Sequence, residues 1–267
     1  MTAQNFSADP TASSSSPFAR QSSTDHLIVA LDFPSAAAAL ALADKLAGSC
    51  RWVKVGLELY LAAGNSIVAE LRSRGFSIFL DLKLHDIPNT VAGAVRSATQ
   101  AGASLLTLHA AGGPAMLRAA VEEAAKITAQ GETPPQLLAV TVLTSMDAAE
   151  LAAIGIAQTP AEQVLRLGKM AMGCGVAGLV CSPEEVAMLR KDLGDRPLLV
   201  TPGIRPAGAA AQDQKRLATP GAAIAAGASY LVVGRPITQA ADPLQAAQSI
   251  LLEMENAELP HSSKKKA

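Results

Sequence analysis

Aromatic side chains are scarce: the 267 residues include one Trp, two Tyr and five Phe. With 49% hydrophobic residues overall, the chain can still bury a sizeable core, and the sequence predicts an aliphatic one. No charge of one sign is in excess, because 22 Lys and Arg face 23 Asp and Glu for a formal net charge of −1. That balance excludes the basic nucleic-acid binder and the acidic disordered chain. There are three cysteines (Cys50, Cys174, Cys181), an odd and widely spaced set. It does not make a disulfide framework, and it fits a reducing compartment.

Long apolar runs are also missing. Residues 1–24 are polar and Ser-rich, without the apolar stretch of a signal peptide. Arg20 is their single basic residue, too few for a transit peptide. Leu217 to Gly234 is free of charge for 18 residues, but Pro220, Gly221 and Gly227 interrupt it. It reads as a helix followed by a strand rather than a membrane span. The expectation is a cytoplasmic protein with no membrane contact. No His/Cys/carboxylate spacing specifies zinc, so no metal is expected. No Gly-x-Ser-x-Gly elbow supports a serine hydrolase. Met172 to Gly178 has the letters of a dinucleotide fingerprint, but it follows a helix and precedes a strand, the reverse of what that motif requires.

What the chain does have is alternation. Residues 1–25 and 257–267 read as flexible tails, the second ending in Lys264 to Lys266, and residues 26–256 as one domain. Three lysines would give only a weak, salt-sensitive contact with nucleic acid, so no such partner is expected. Within the domain lie eight β-rich runs: 26–31, 52–55, 77–82, 104–108, 137–142, 178–180, 198–200 and 230–233. Helical stretches between them include 35–46, 65–74, 90–101, 113–129, 160–173 and 183–192. Such alternation predicts parallel strands with helical crossovers, and eight units of this length predict a closed (β/α)8 TIM barrel, with an open doubly wound sheet as the alternative.

In a barrel of this kind the active site lies at the C-terminal ends of the strands. Asp32 ends the first run, Lys54 sits between two valines in the second, and Asp81 and Lys83 stand two apart near the end of the third, followed by Asp86. A lysine inside a barrel strand is costly unless paired. Charges at one end of three consecutive strands, in an otherwise apolar pattern, point to a functional cluster. On the other side of the barrel, Thr201 to Gly208 follows the seventh run and Val233 to Thr238 the eighth. Loops after strands 7 and 8 frequently hold phosphate. Gly234 lets a backbone approach an anion, and Arg235 offers a planar fork of donors. His85 and His109 are further candidates near strand ends, and the cysteines read as inert core residues.

Asp81-Leu-Lys-Leu-His-Asp-Ile-Pro-Asn-Thr90, with its Asp-x-Lys-x-x-Asp core, resembles the signature of the orotidine 5′-phosphate decarboxylase family. Leu31-Asp32-Phe33, Val53-Lys54-Val55-Gly56, Leu143-Thr144-Ser145, Pro202 to Pro206, Asp213 to Arg216 and Val233 to Pro236 fall in the same order as in that family. A Gln at 212 or 214 replaces a second acidic residue common there. The resemblance implies decarboxylation of orotidine 5′-phosphate to uridine 5′-phosphate without metal or organic cofactor. It also implies a homodimer whose sites are shared. Lys83 would protonate C6, and Asp81 would face the departing carboxylate. Lys54 and the partner's Asp86 would complete the charged array, with Asp32 and Lys54 on the ribose. Ile87 and Thr90 would come from the partner, Thr144 and Ser145 would lie near the pyrimidine edge, and Arg205, Gln214 and Arg235 would hold the phosphate. The alternative is a magnesium-dependent sugar-phosphate decarboxylase or aldolase of a related barrel.

Overall fold

Eight short parallel strands form a closed barrel in the computed structural model, which describes residues 26–206 and 217–258. They are β1 (Leu27–Ala30), β2 (Trp52–Gly56), β3 (Ser77–Leu84), β4 (Leu105–His109), β5 (Gln136–Val140), β6 (Gly178–Val180), β7 (Leu198–Thr201) and β8 (Tyr230–Val233). Each pairs in parallel with the next, and β1 closes the ring against β8 through Leu27↔Leu231, Ile28↔Val232 and Val29↔Val233. The helices are α1 (Ala36–Leu46), α2 (Leu57–Ala63), α3 (Ser66–Ser73), α4 (Pro88–Ala101), α5 (Gly113–Ala129) and α6 (Ala148–Ala153). They continue as α7 (Pro160–Gly173), α8 (Val186–Leu193), α9 (Pro220–Ala225), α10 (Arg235–Thr238) and α11 (Pro243–Glu258).

Local chemistry sets the helix ends. The Ser35 side chain accepts from the Ala38 N–H to start α1. Asp147 with Glu150 and Thr159 with Glu162 form reciprocal capping boxes at α6 and α7, each satisfying two orphan donors. Pro88 opens α4 at a position where its missing N–H costs nothing, and Gly102 closes it at φ +85°, a conformation a Cβ would oppose.

Strand alternation sorts the core into two layers. Outward residues such as Val29, Val53, Ile78, Leu106 and Leu231 pack beneath the helices in a large, mostly aliphatic cluster. Inward residues form a smaller plug of Ile28, Ala30, Trp52, Phe79, Leu105, Leu138, Val200, Tyr230 and Val232. The expectation of an aliphatic core therefore holds for the outer layer and is corrected for the inner one. There Trp52 and Tyr230 meet edge to face at 5.5 Å, and Phe79 is 1% exposed, because wide side chains fill a barrel axis.

Two further differences are local. β3 extends to Leu84, beyond the expected end at 82, because its pairing with β4 breaks after Leu80↔Leu106 and resumes at Leu84↔Leu108. The stretch 183–192 begins as a tight 3-10 turn, Pro183–Glu185, before α8. Residues 1–25 and 259–267, hence Lys264 to Lys266, lie outside the described residues, as does Gln214. Among the described residues no helix is long and apolar enough to cross a membrane.

Candidate active site

Above the plug, charged and polar residues join the lining at the C-terminal ends of the strands. Ala30 on β1 is in register with Lys54 on β2, and Lys54 with Phe79 on β3. The next inward residue of β3 is therefore Asp81. Lys54 and Asp81 are each 8% exposed, an unusual placement for charges that only pairing makes tolerable.

The pairing is an alternating array. Lys54 Nζ donates to Asp32 Oδ1 at 2.9 Å and lies 3.5 Å from Asp81 Oδ2. Lys83 Nζ donates to the same Asp81 Oδ2 at 2.8 Å, and the Thr107 hydroxyl donates to Asp81 Oδ1 at 3.0 Å. Burial alone would push the Asp81 carboxyl up, but the two ammonium groups and the hydrogen bonds from Lys83 and Thr107 outweigh it and hold that carboxyl below its ordinary value. Burial pushes the Lys54 ammonium down, and the carboxylates of Asp81 and Asp32 reverse the sign and hold it above the usual lysine value. Both groups are thus kept charged. Gly56 leaves room for the Lys54–Asp32 pair as it stands: a Cβ there would lie 2.9 Å from Lys54 Nζ and 3.0 Å from Asp32 Oδ1.

Asp32, Lys54, Asp81 and Lys83 line one wall of a cavity of about 570 Å³ at the barrel mouth. Thr144, Gly203, Arg205, Gly234 and Arg235 line it elsewhere. Gly203 turns the chain after β7 at φ +82°, and the Arg205 N–H donates to Ala218 O at 3.0 Å, which ties the residue to the segment before α9. Burial and the neighbouring charge of Arg235 both push the Arg205 guanidinium below its usual value. Two cations drawn together at a cavity wall repel each other until an anion sits between them. The cavity thus holds four cations against two carboxylates, an excess suited to a multiply charged anion.

The remaining expected residues sit apart from this wall. Asp86, Ile87 and Thr90 are exposed at the start of α4 and do not line the cavity of the single chain. Asp86 Oδ1 accepts from the Ile87 N–H at 2.6 Å. Ser145 is exposed in the loop after β5, next to Thr144. His85 and His109 face each other at 5.5 Å, where burial, His85 and Lys83 together lower the His109 pKa. The three cysteines are buried and unpaired with one another, and burial pushes the Cys50 thiol up to about 11. Among the described residues no group of three or more His, Cys, Asp or Glu side chains is arranged to hold a metal.

Sequence reasoning missed Thr107. It is fully buried on β4, two residues after the inward Leu105. A threonine in the run Leu-Leu-Thr-Leu-His, at the same end as Asp81, was the available signal.

Residues 25–250 match the Orotidine 5′-phosphate decarboxylase / HUMPS family. The orotidine 5′-phosphate decarboxylase of Halorhodospira halophila is 55% identical over 228 residues, 85% of this chain and 95% of that protein. That of Chromobacterium violaceum is 52% identical over 228 residues, 85% of this chain and 90% of that protein. The crystal structure of orotidine 5′-phosphate decarboxylase from Lactobacillus acidophilus superposes with a TM-score of 0.76 at 41% identity, covering 86% of this chain and 99% of that one.

Proposed function

The chain belongs to the Orotidine 5′-phosphate decarboxylase / HUMPS family, and on that premise we propose that it decarboxylates orotidine 5′-phosphate to uridine 5′-phosphate and carbon dioxide. The observation that carries the reading is the Asp32–Lys54–Asp81–Lys83 array, with Lys54 and Asp81 buried at its centre, beside a cavity that Arg205 and Arg235 also line. One molecule that needs both is a phosphate monoester with a carboxylate at its reacting end.

The C6–carboxyl bond breaks and its electron pair stays on C6, in the plane of the ring, where the ring carbonyls cannot spread it. The Lys83 ammonium stabilises that charge and then donates its proton to C6, so the bond to carbon is replaced by a bond to hydrogen. The Lys83 amine regains a proton from solvent. Asp81, held ionised by its neighbours, stands beside the substrate carboxylate, and their repulsion disappears as carbon dioxide leaves. Lys54 keeps Asp81 charged and, with Asp32, binds the ribose. Thr144 and Ser145 contact the pyrimidine edge. Arg205, Gln214 and Arg235, with Gly234 allowing close approach, hold the phosphate, and this remote binding energy helps to offset the distortion at C6.

The enzyme acts as a homodimer in the cytoplasm, with Asp86, Ile87 and Thr90 of each subunit completing the other's site. Their exposure supports this, as do the exposed apolar Leu57, Leu61 and Ile87 that follow adjacent strands. The three buried cysteines, none joined to another by a disulfide, fit a reducing compartment. Two experiments test the reading. Chelator-treated protein should convert orotidine 5′-phosphate, seen as an ultraviolet change with released carbon dioxide, and Lys83→Ala should not. No turnover by folded wild type, or turnover only with added magnesium, overturns it. Mixing the inactive Lys83→Ala and Asp86→Ala variants should restore about a quarter of wild-type activity, because half the dimers are mixed and each carries one intact site. No recovery after subunit exchange rules out the shared site.

A further inference from the structure

We propose that Thr107 is a positioning residue for decarboxylation, holding Lys83 and Asp81 in their working geometry from the neighbouring strand. This rests on the roles given above to those two residues.

The β3–β4 ladder pairs Leu80 with Leu106 and next pairs Leu84 with Leu108. Between those pairs, residues 81–83 on β3 face the single residue Thr107 on β4. The bulge therefore contains two extra residues. An even insertion leaves the alternation of side chains unchanged. Leu80 and Leu84 both pack into the outer layer, while Asp81 and Lys83 line the cavity. The motif's charged pair occupies the bulge itself.

A bulge strips backbone groups of their ladder partners, and an N–H lost in this way must find another acceptor. The Lys83 N–H donates to Thr107 Oγ1 at 2.8 Å. The same hydroxyl donates its one proton to Asp81 Oδ1 at 3.0 Å. The direction is fixed, since an ionised carboxylate only accepts and an amide N–H only donates. One fully buried hydroxyl thus joins the backbone of the proposed proton donor to the side chain of its carboxylate partner. Lys83 needs such a clamp. At φ 51° it is the one non-glycine residue with positive φ among the described residues, a conformation disfavoured by its own Cβ. The Thr107 hydroxyl holds the backbone there, and the side chain leaves that backbone aimed at Asp81 Oδ2.

Thr107→Val keeps shape and burial and removes only the hydroxyl; Thr107→Ser keeps the hydroxyl. In steady-state kinetics with orotidine 5′-phosphate, Thr107→Val should lower kcat by about 10- to 100-fold, the scale of a small misplacement at a reacting group. KM should change by less than about threefold, because the phosphate wall is untouched. Thr107→Ser should recover most of kcat even if its unfolding midpoint falls as far as that of the valine variant. Hydrogen exchange gives a reading independent of turnover: the Lys83 amide should exchange faster in Thr107→Val than in wild type or Thr107→Ser, with the Leu106 and Leu108 amides unchanged. A valine variant with kcat within twofold of wild type overturns the proposal, as does a serine variant as slow as valine. Unchanged exchange at the Lys83 amide overturns it too. If wild type itself does not turn over orotidine 5′-phosphate, the functional reading fails, and the exchange measurement still decides whether Thr107 holds the bulge.

Discussion

Replacing Lys54 with Met removes the ammonium at the centre of the charged array and leaves a side chain of similar length. Two interactions are lost, and they differ in worth. Asp32 is 56% exposed at its side chain, so its pair with Lys54 is solvent-screened and contributes at most about 1 kcal/mol. Asp81 is 11% exposed at its side chain and lies 3.5 Å from Lys54, and breaking a buried pair from one side costs about 3–5 kcal/mol. Asp81 keeps Lys83 at 2.8 Å and Thr107 at 3.0 Å, which places the expected cost at the low end, about 3 kcal/mol in total. Urea unfolding at pH 7 and fixed protein concentration measures it, the concentration being held because a dimer's stability depends on it. Asp32→Asn should cost under about 1 kcal/mol. The double variant Lys54→Met/Asp81→Asn should be more stable than the sum of the single losses predicts, with a coupling of about 1–3 kcal/mol, because the second change removes the carboxylate that the first left undercompensated. Additivity within about 0.5 kcal/mol would refute the claim that Lys54 and Asp81 sustain each other's charge.

Gly56→Ala should leave circular dichroism unchanged while lowering kcat/KM, because its Cβ would displace Lys54 Nζ from 2.9 Å and Asp32 Oδ1 from 3.0 Å; unaltered kinetics would show that the array tolerates the shift. Arg235→Ala should lower kcat/KM by about 1.5–3 kcal/mol, the worth of lost hydrogen bonds to a charged group, and unchanged efficiency would remove Arg235 from the phosphate site. The Asp81 carboxyl is held below its ordinary value of 3.8, so its contribution to stability is complete above that pH and is lost as pH falls through the lower folded-state value. Asp81→Asn should therefore flatten the stability–pH curve in that acid window, and an equal slope would contradict the assignment. His109 should titrate below the ordinary 6.5, as followed by its ring resonances in NMR; a midpoint at or above 6.5 would show that burial, His85 and Lys83 do not act on it as the geometry implies.

The sequence by itself determined the eight-fold alternation, because β-rich runs and Ala/Leu-rich helices are set by local propensity and by the spacing of apolar residues. It also determined the chemistry available at the strand ends, since Lys54 and Asp81 interrupt apolar runs at positions where only a partner makes a charge tolerable, and Asp32 and Lys83 stand at the ends of the same runs. Tertiary structure decided what pairs with what. Closure of β1 on β8, which the count of eight units predicts, brings Asp32, Lys54, Asp81, Lys83, Arg205 and Arg235 around one cavity, and no local signal records which of these side chains meet there. The bulge at residues 81–83 was invisible for the same reason: the run Asp-Leu-Lys alternates as an ordinary strand would, and only its pairing with β4 shows that three residues oppose one. The aromatic plug belongs here too, since Trp52, Phe79 and Tyr230 are far apart in sequence and meet only because their strands face a common axis. Thr107 is the clearest case. A threonine in an apolar strand marks a polar inward position and no more, and its place between the Lys83 backbone and the Asp81 carboxylate exists only once β3 and β4 are in register.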